Sequence, residues 1–170
     1  MSSILTADEN MDVVVKAFSH SVQEVLGSMA LTPVQLVNTL PHQSFSPTGD
    51  LAACMKIHDN KDQGGMIILS FSNKMANNIV CKLLGEDEIN EEDLCDGIGE
   101  VVNMISGKSK VALSHASNYT YNLSLPEVLQ LEQLKQDPEI AAHLDNDFLT
   151  MVFEADDKKF EMQCAMTILK

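Results

Sequence analysis

The stretch EEDLCDGIGEVVNMISGKSKVALS, residues 91–114, constrains the fold more than any other part of the chain. Placed at about 100° per residue, Leu94, Ile98, Val101, Val102, Ile105 and Ala112 gather on one side, so the segment is a long amphipathic helix whose apolar stripe faces a core. The opposite side is thereby fixed. Asp96, Glu100, Asn103, Gly107 and Lys110 follow one another at helical spacing within an arc of about 80°, turned to solvent. In a helix interior Asn costs several tenths of a kcal/mol relative to Ala, and Gly close to 1 kcal/mol. Neither gains from packing on an outward face, so something other than helix stability selects them.

The remaining segments tell what that helix packs on. Apolar residues recur at helical spacing from Asp12 to about Ala30, with Asn10 or Asp12 as caps and Pro33 beyond the end. VQLVNTL, LAACMKIHD and GGMIILSFS read as three strands separated by turn formers, and an antiparallel meander is the economical pairing. NKMANNIVCKLLG is a second helix closing on Gly85. After the long third helix, YTYNLSL is strand-like up to Pro126, and LEQLKQDPEIAAHLDND predicts one or two short helical turns. These turns lie in an acidic segment, Glu127 to Asp147, that reads as a surface insertion. FLTMVFEADDKKFEMQCAMTIL closes the chain as a hairpin turning at Asp156 to Lys158. The order α-βββ-αα-βββ predicts an α+β fold with helices packed on an antiparallel sheet. At 170 residues with 45% apolar content, residues 1–170 are expected to share one core as a single domain.

Charge and motif content narrow the chemistry. Twenty-five acidic and 11 basic residues give a net charge of -14, and no Lys/Arg block occurs, so neither nucleic acid nor an anionic membrane is expected as a partner. With no signal-like start and no apolar run of spanning length, a cytoplasmic location is expected. Cys54, Cys81, Cys95 and Cys164 form no CxxC pair and read as free thiols, while His20, His42, His58, His115 and His143 show no spacing that brings two onto one helical face. No resident metal is expected. SGKS at 106–109 lacks the upstream glycine and preceding strand of a phosphate loop, and no GxGxxG or GxSxG is present.

Asp96, Glu100, Asn103 and Pro126 match the spacing D-x3-E-x2-N-x22-P. This pattern resembles the signature of the CheC/CheX chemotaxis phosphatases, and the surrounding GExxNMISG is similar to CheX-like members in particular. The resemblance implies the CheC-like fold and a phosphatase acting on the aspartyl phosphate of a CheY-like response regulator. By that resemblance Glu100 and Asn103 are the catalytic pair: the Asn103 amide orients the attacking water, and Glu100 docks on a receiver Lys. On the same face Asp96, Gly99, Met104 and Gly107 are candidate partner contacts, with Val111 a further apolar one. Partial burial would equally account for Met104 and Val111, a tolerated helix glycine for Gly107 and the helix dipole for Asp96. Pro126 would be structural, ending a strand and fixing the next turn. No cofactor is expected on this chain, because Mg²⁺ belongs to the receiver. Such sparse equipment suits an acyl phosphate, whose transfer is catalysed mainly by positioning and charge stabilisation.

Residues 16–27 laid over 96–107 put Lys16, His20, Gln23 and Gly27 at the places of Asp96, Glu100, Asn103 and Gly107. CheC-type relatives carry a second active helix there, so one functional site per chain is expected here. The resemblance also implies a homodimer with a sheet continued across subunits. Two other readings stay open: a non-catalytic CheC-like module binding a response regulator or a flagellar switch component, and an enzyme holding its own metal.

Overall fold

The computed structural model describes residues 8–59, 64–116, 121–144, 147–155 and 161–167. In chain order the elements are α1 (Asp8–Glu24), β1 (Val34–Gln43), β2 (Leu51–Asp59), β3 (Gly64–Phe71), α2 (Asn73–Leu84), α3 (Glu91–Ala116), β4 (Tyr121–Leu123), β5 (Glu127–Gln130), α4 (Leu131–Gln136), α5 (Pro138–Leu144), β6 (Phe148–Ala155) and β7 (Glu161–Thr167). This is the expected α+β arrangement of helices on an antiparallel sheet. Helix α1 starts at Asp8, so Asn10 and Asp12 lie inside it and are not its caps. Its end widens into a π-helical turn, Val25–Met29. The expected turn at Asp156 to Lys158 lies outside the described residues, as do residues 119 and 120 of the expected strand.

The sheet runs β1-β6-β7-β3-β2-β4, with β5 also pairing β2. The meander is therefore wrong in one respect: β2 and β3 are neighbours, but β1 pairs with β6 at the far edge. Nothing local distinguishes these outcomes, since β1 and β6 are brought together only when the whole sheet closes. Strand β1 accommodates Pro41 and two register shifts, between Leu36 and Asn38 and between Leu40 and Gln43, which an edge strand tolerates because one row of its backbone groups has no ladder partner.

Side chains alternate strictly across the sheet. Leu51, Ala53, Met55 and Ile57 of β2, with Ile67, Leu69 and Phe71 of β3, meet α1, α2 and α3 in the larger core. Ala52, Cys54, Met66 and Ile68 point the other way, into a second core shared with Phe45, Phe148, Leu134 of α4 and Ile140 of α5. Burial on both faces is why these strands read as nearly continuous apolar runs. It also corrects the reading of Glu127 to Asp147 as an insertion: Leu134 and Ile140 are buried, so this segment supplies a lid on the sheet's second face. Lys56 of β2 holds α5 from outside through Glu139, at 2.6 Å.

Helix α3 begins at Asn90, whose Oδ1 accepts the Asp93 N–H at 2.8 Å, and Glu91, Glu92 and Asp93 complement the positive end of the helix dipole. Ile98, Val101, Val102 and Ile105 are completely buried, each contributing about 1.5–3 kcal/mol by removal from water. Against α2 the approach is close enough to require glycine: a Cβ on Gly97 would stand 2.5 Å from Val80 Cγ1 and 2.8 Å from Cγ2. Helix α2 itself is capped by Ser72, whose hydroxyl accepts the Met75 N–H, and by left-handed Gly85 at φ 68°.

Candidate functional site

With its buried stripe clamped between α1, α2 and the sheet, α3 has no freedom to rotate. Asp96, Glu100 and Asn103 are consequently held on its outer ridge, all three exposed. They line an open groove of about 520 Å³ together with Cys95, Gly99, Leu125, Pro126 and Val128. The groove has one helical wall and one wall from the sheet edge. Among the described residues Glu100 and Asn103 have no hydrogen-bond or ion-pair partner, so both side chains are available to a visiting group.

The second wall exists because the last strand is broken. β4 pairs with the Ile57–Asp59 end of β2 and β5 with its Leu51–Cys54 end. Pro126 sits between them, as the expected end of a strand, but the strand resumes one residue later instead of turning away. At the break Ser124 substitutes for regular pairing: its N–H donates to the Lys56 carbonyl at 3.0 Å, and its Oγ accepts the Lys56 N–H at 2.8 Å. Leu125, between Ser124 and Pro126, is left 81% exposed.

Not every residue expected at the site is found there. Gly99 is there: half-buried, it lines the groove, and a Cβ at its position would meet Val128 Cγ2 of β5 at 3.8 Å. Met104 is half-buried and packs against the larger core, turned inward because it follows Asn103 by 100° toward the buried stripe. Gly107 and Val111 line a different groove, between α1 and α3, with His20, Ser21, Glu24 and Lys108. There Lys108 Nζ donates to Glu24 Oε1 at 3.1 Å, pinning the two helices. Lys16, His20 and Gln23 are exposed on α1. Cys95, Leu125 and Val128 also line the groove, though none of them was expected there. Leu125 carried a signal, its adjacency to the motif proline; Val128 carried none, because only the sheet register brings it to α3.

The segment that leads into α3 is strongly acidic. Glu86, Asp87, Glu88, Glu91, Glu92, Asp93, Asp96 and Glu100 are all exposed, and no Lys or Arg occurs between Lys82 and Lys108. Partial burial and the nearby charges of Glu91 and Asp96 push the Cys95 thiol up from its ordinary value, so it is a poor nucleophile. Among the described residues no cluster of three or more His, Cys, Asp or Glu could hold a metal ion, and no helix is long and apolar enough to cross a membrane.

Residues 51–153 match the family described as chemotaxis phosphatase CheX. The chain belongs to this family. The matched span includes all of α3 and the strand break that forms the second wall. No curated protein matches the chain. Among solved structures, CheX from Desulfovibrio desulfuricans is 22% identical with a TM-score of 0.73, covering 92% of this chain and 99% of its own. CheX from Vibrio vulnificus is 19% identical, TM-score 0.70, covering 91% and 97%. The CheX of a Borrelia burgdorferi CheX–CheY–BeF3–Mg²⁺ complex is 17% identical, TM-score 0.68, covering 92% and 98%. At these identities the likeness is one of fold, and it extends over nearly the whole chain.

Proposed function

We propose that this CheX-family chain hydrolyses the aspartyl phosphate of a CheY-like response regulator. The observation that carries the reading is the exposed Glu100–Asn103 pair, one helical turn apart on α3 and without an internal partner, opening into a groove that another protein can enter. Residues three apart on a helix project together, so both side chains can reach one small pocket. Asn103 offers a carboxamide that accepts from the attacking water and fixes it in line with phosphorus. Water oxygen bonds to phosphorus, the bond from phosphorus to the receiver's aspartyl oxygen breaks, and the carboxylate and inorganic phosphate separate. Glu100 pairs with the receiver's Lys and sets the pose. Mg²⁺ enters as part of the receiver, and the Borrelia CheX complex with CheY and Mg²⁺ supports a partner of that kind.

Decay of phosphorylated receivers, followed with and without the chain, tests the reading. Asn103→Ala should reduce the acceleration by about 100-fold or more, and Glu100→Ala should raise KM by about 30-fold, as expected when one member of a desolvated charge pair is removed. If both variants keep wild-type acceleration, the assignment fails. Phosphorylation-dependent capture of a receiver without loss of phosphate would identify a binding module instead.

A homodimer belongs to the same proposal. The β4/β5 edge lies beside the groove, so pairing there would roof it, whereas β1 at the opposite edge can extend the sheet with the site left open. Exposed Val37 on β1 supports that choice. A sedimentation mass near 18.7 kDa, that of one chain, would end it.

A further inference from the structure

Resting on the reading above, we infer that Leu125 is a docking contact, the apolar anchor that seats the receiver against the sheet-side wall of the groove. A single exposed leucine is ordinary on a protein surface, and three observations set this one apart. It is 81% exposed, ahead of Leu31 at 62% and Val111 at 57%. It lines the same groove as Glu100 and Asn103, so a partner that reaches the pair must also meet it. Its backbone is fixed on both sides: Ser124 is bonded to Lys56 through its N–H and its hydroxyl, that hydroxyl also donates to the Leu125 carbonyl at 3.2 Å, and Pro126 restricts the residue before it to extended conformations. The backbone that carries the side chain is therefore constrained before binding, which removes an entropic cost that a mobile loop would meet at association.

The occupant is the receiver that Glu100 and Asn103 engage, and the anchor requires an apolar contact on it beside the phosphorylated aspartate. With Glu100 and Asn103 supplying polar contacts on one wall and Leu125 an apolar one on the other, docking closes the groove around the reacting centre and excludes bulk water from it. Leu125 acts on association, with no part in the bond-breaking step.

The test uses CheY-like receivers phosphorylated with acetyl phosphate, taking the one whose decay the wild-type chain accelerates or, failing acceleration, the one it binds. Leu125→Ala should raise KM, or Kd where only binding is measured, about tenfold, with kcat and Tm within twofold and about 1 °C of wild type. Leu125→Met should retain most of the affinity, and Leu84→Ala, which removes an exposed leucine from the end of α2, should leave KM unchanged. If Leu125→Ala leaves KM or Kd within twofold of wild type while Asn103→Ala abolishes turnover, the anchor is refuted and the phosphatase reading stands. If Asn103→Ala retains turnover while Leu125→Ala weakens binding, the anchor stands and the catalytic assignment fails. A chain that neither binds nor accelerates any receiver overturns both.

Discussion

Of the three glycines in helix α3, Gly97 and Gly107 should respond oppositely to alanine. Either substitution recovers about 1 kcal/mol of helix propensity. At Gly107 the added Cβ meets nothing within 4 Å, so the full gain should appear, raising Tm by about 2–4 °C for a chain of this size. At Gly97 the Cβ would stand 2.5 Å from Val80 Cγ1 and 3.2 Å from Val80 Cβ, about 1 Å inside ordinary carbon contact. Val80 is completely buried and stiff at χ1, so α2 and α3 must separate. An overpacking cost near 3 kcal/mol, at the upper end of the usual range, leaves a net loss of about 2 kcal/mol and a Tm lowered by about 4–8 °C. Thermal unfolding followed by circular dichroism reads both. Val80→Ala introduced with Gly97→Ala should recover more than about 1 kcal/mol relative to the sum of the single changes, since the clash is shared. If Gly97→Ala raises Tm as Gly107→Ala does, the two helices do not meet as described. Gly107→Ala carries a second readout: a Cβ that touches nothing within the chain can slow dephosphorylation only by meeting the partner, so a stabilised but slower variant would place Gly107 in the docking face.

Two further outcomes follow from charge and burial. The eight exposed acids from Glu86 to Glu100, a stretch that itself holds no Lys or Arg, should favour encounter with a receiver presenting basic residues. Raising salt from about 50 mM to about 0.5 M should therefore raise KM several-fold with little change in kcat, and an insensitive KM would refute steering by this ridge. Burial pushes the Cys54 and Cys164 thiols up to about 12 from 9.0. Both are protonated in the folded chain over a range where the unfolded chain ionises, so their stabilisation is complete below pH 9.0 and is lost as pH rises toward 12. Denaturant unfolding should give a decline over that interval shallower by about 1.4 kcal/mol per pH unit in Cys164→Ala, and a thiol reagent at pH 8 should label Cys81 before Cys54 or Cys164.

The parts of this molecule that were legible in the sequence are those governed by local rules. The outward ridge of α3 follows from the positions of Ile98, Val101, Val102 and Ile105 alone, because a buried stripe dictates where Glu100 and Asn103 point. Gly85 ended α2 for an equally local reason. What was not legible depends on residues distant in sequence. β1 joins β6 through pairings such as Val34 with Ala155, and no pattern within VQLVNTL encodes that choice over β2. Leu134 and Ile140 looked like incidental apolar residues in an acidic segment because the surface they cover, Cys54, Met66 and Ile68, is the second face of strands already accounted for by the first. Met104 stood open between partial burial and partner contact because a residue at the border of the apolar stripe is turned inward or outward by neighbouring helices; here it is half-buried against the core.

The site is thus half local and half topological, and its topological half can be perturbed separately. Ser124 joins the strand break to β2, and Ser124→Ala removes the acceptor of the Lys56 N–H together with the bond to the Leu125 carbonyl. Water can reach this exposed edge, so the stability cost should be about 0.5–1 kcal/mol, lowering Tm by no more than about 4 °C. The segment carrying Leu125 and Pro126 loses its anchor, and KM for the receiver should rise several-fold although Glu100 and Asn103 are untouched. If Ser124 acts by holding Leu125 in place, the two substitutions disable one wall, and Ser124→Ala combined with Leu125→Ala should raise KM little beyond Leu125→Ala alone. Fully additive effects would mean that the hydroxyl serves β2 and not the groove.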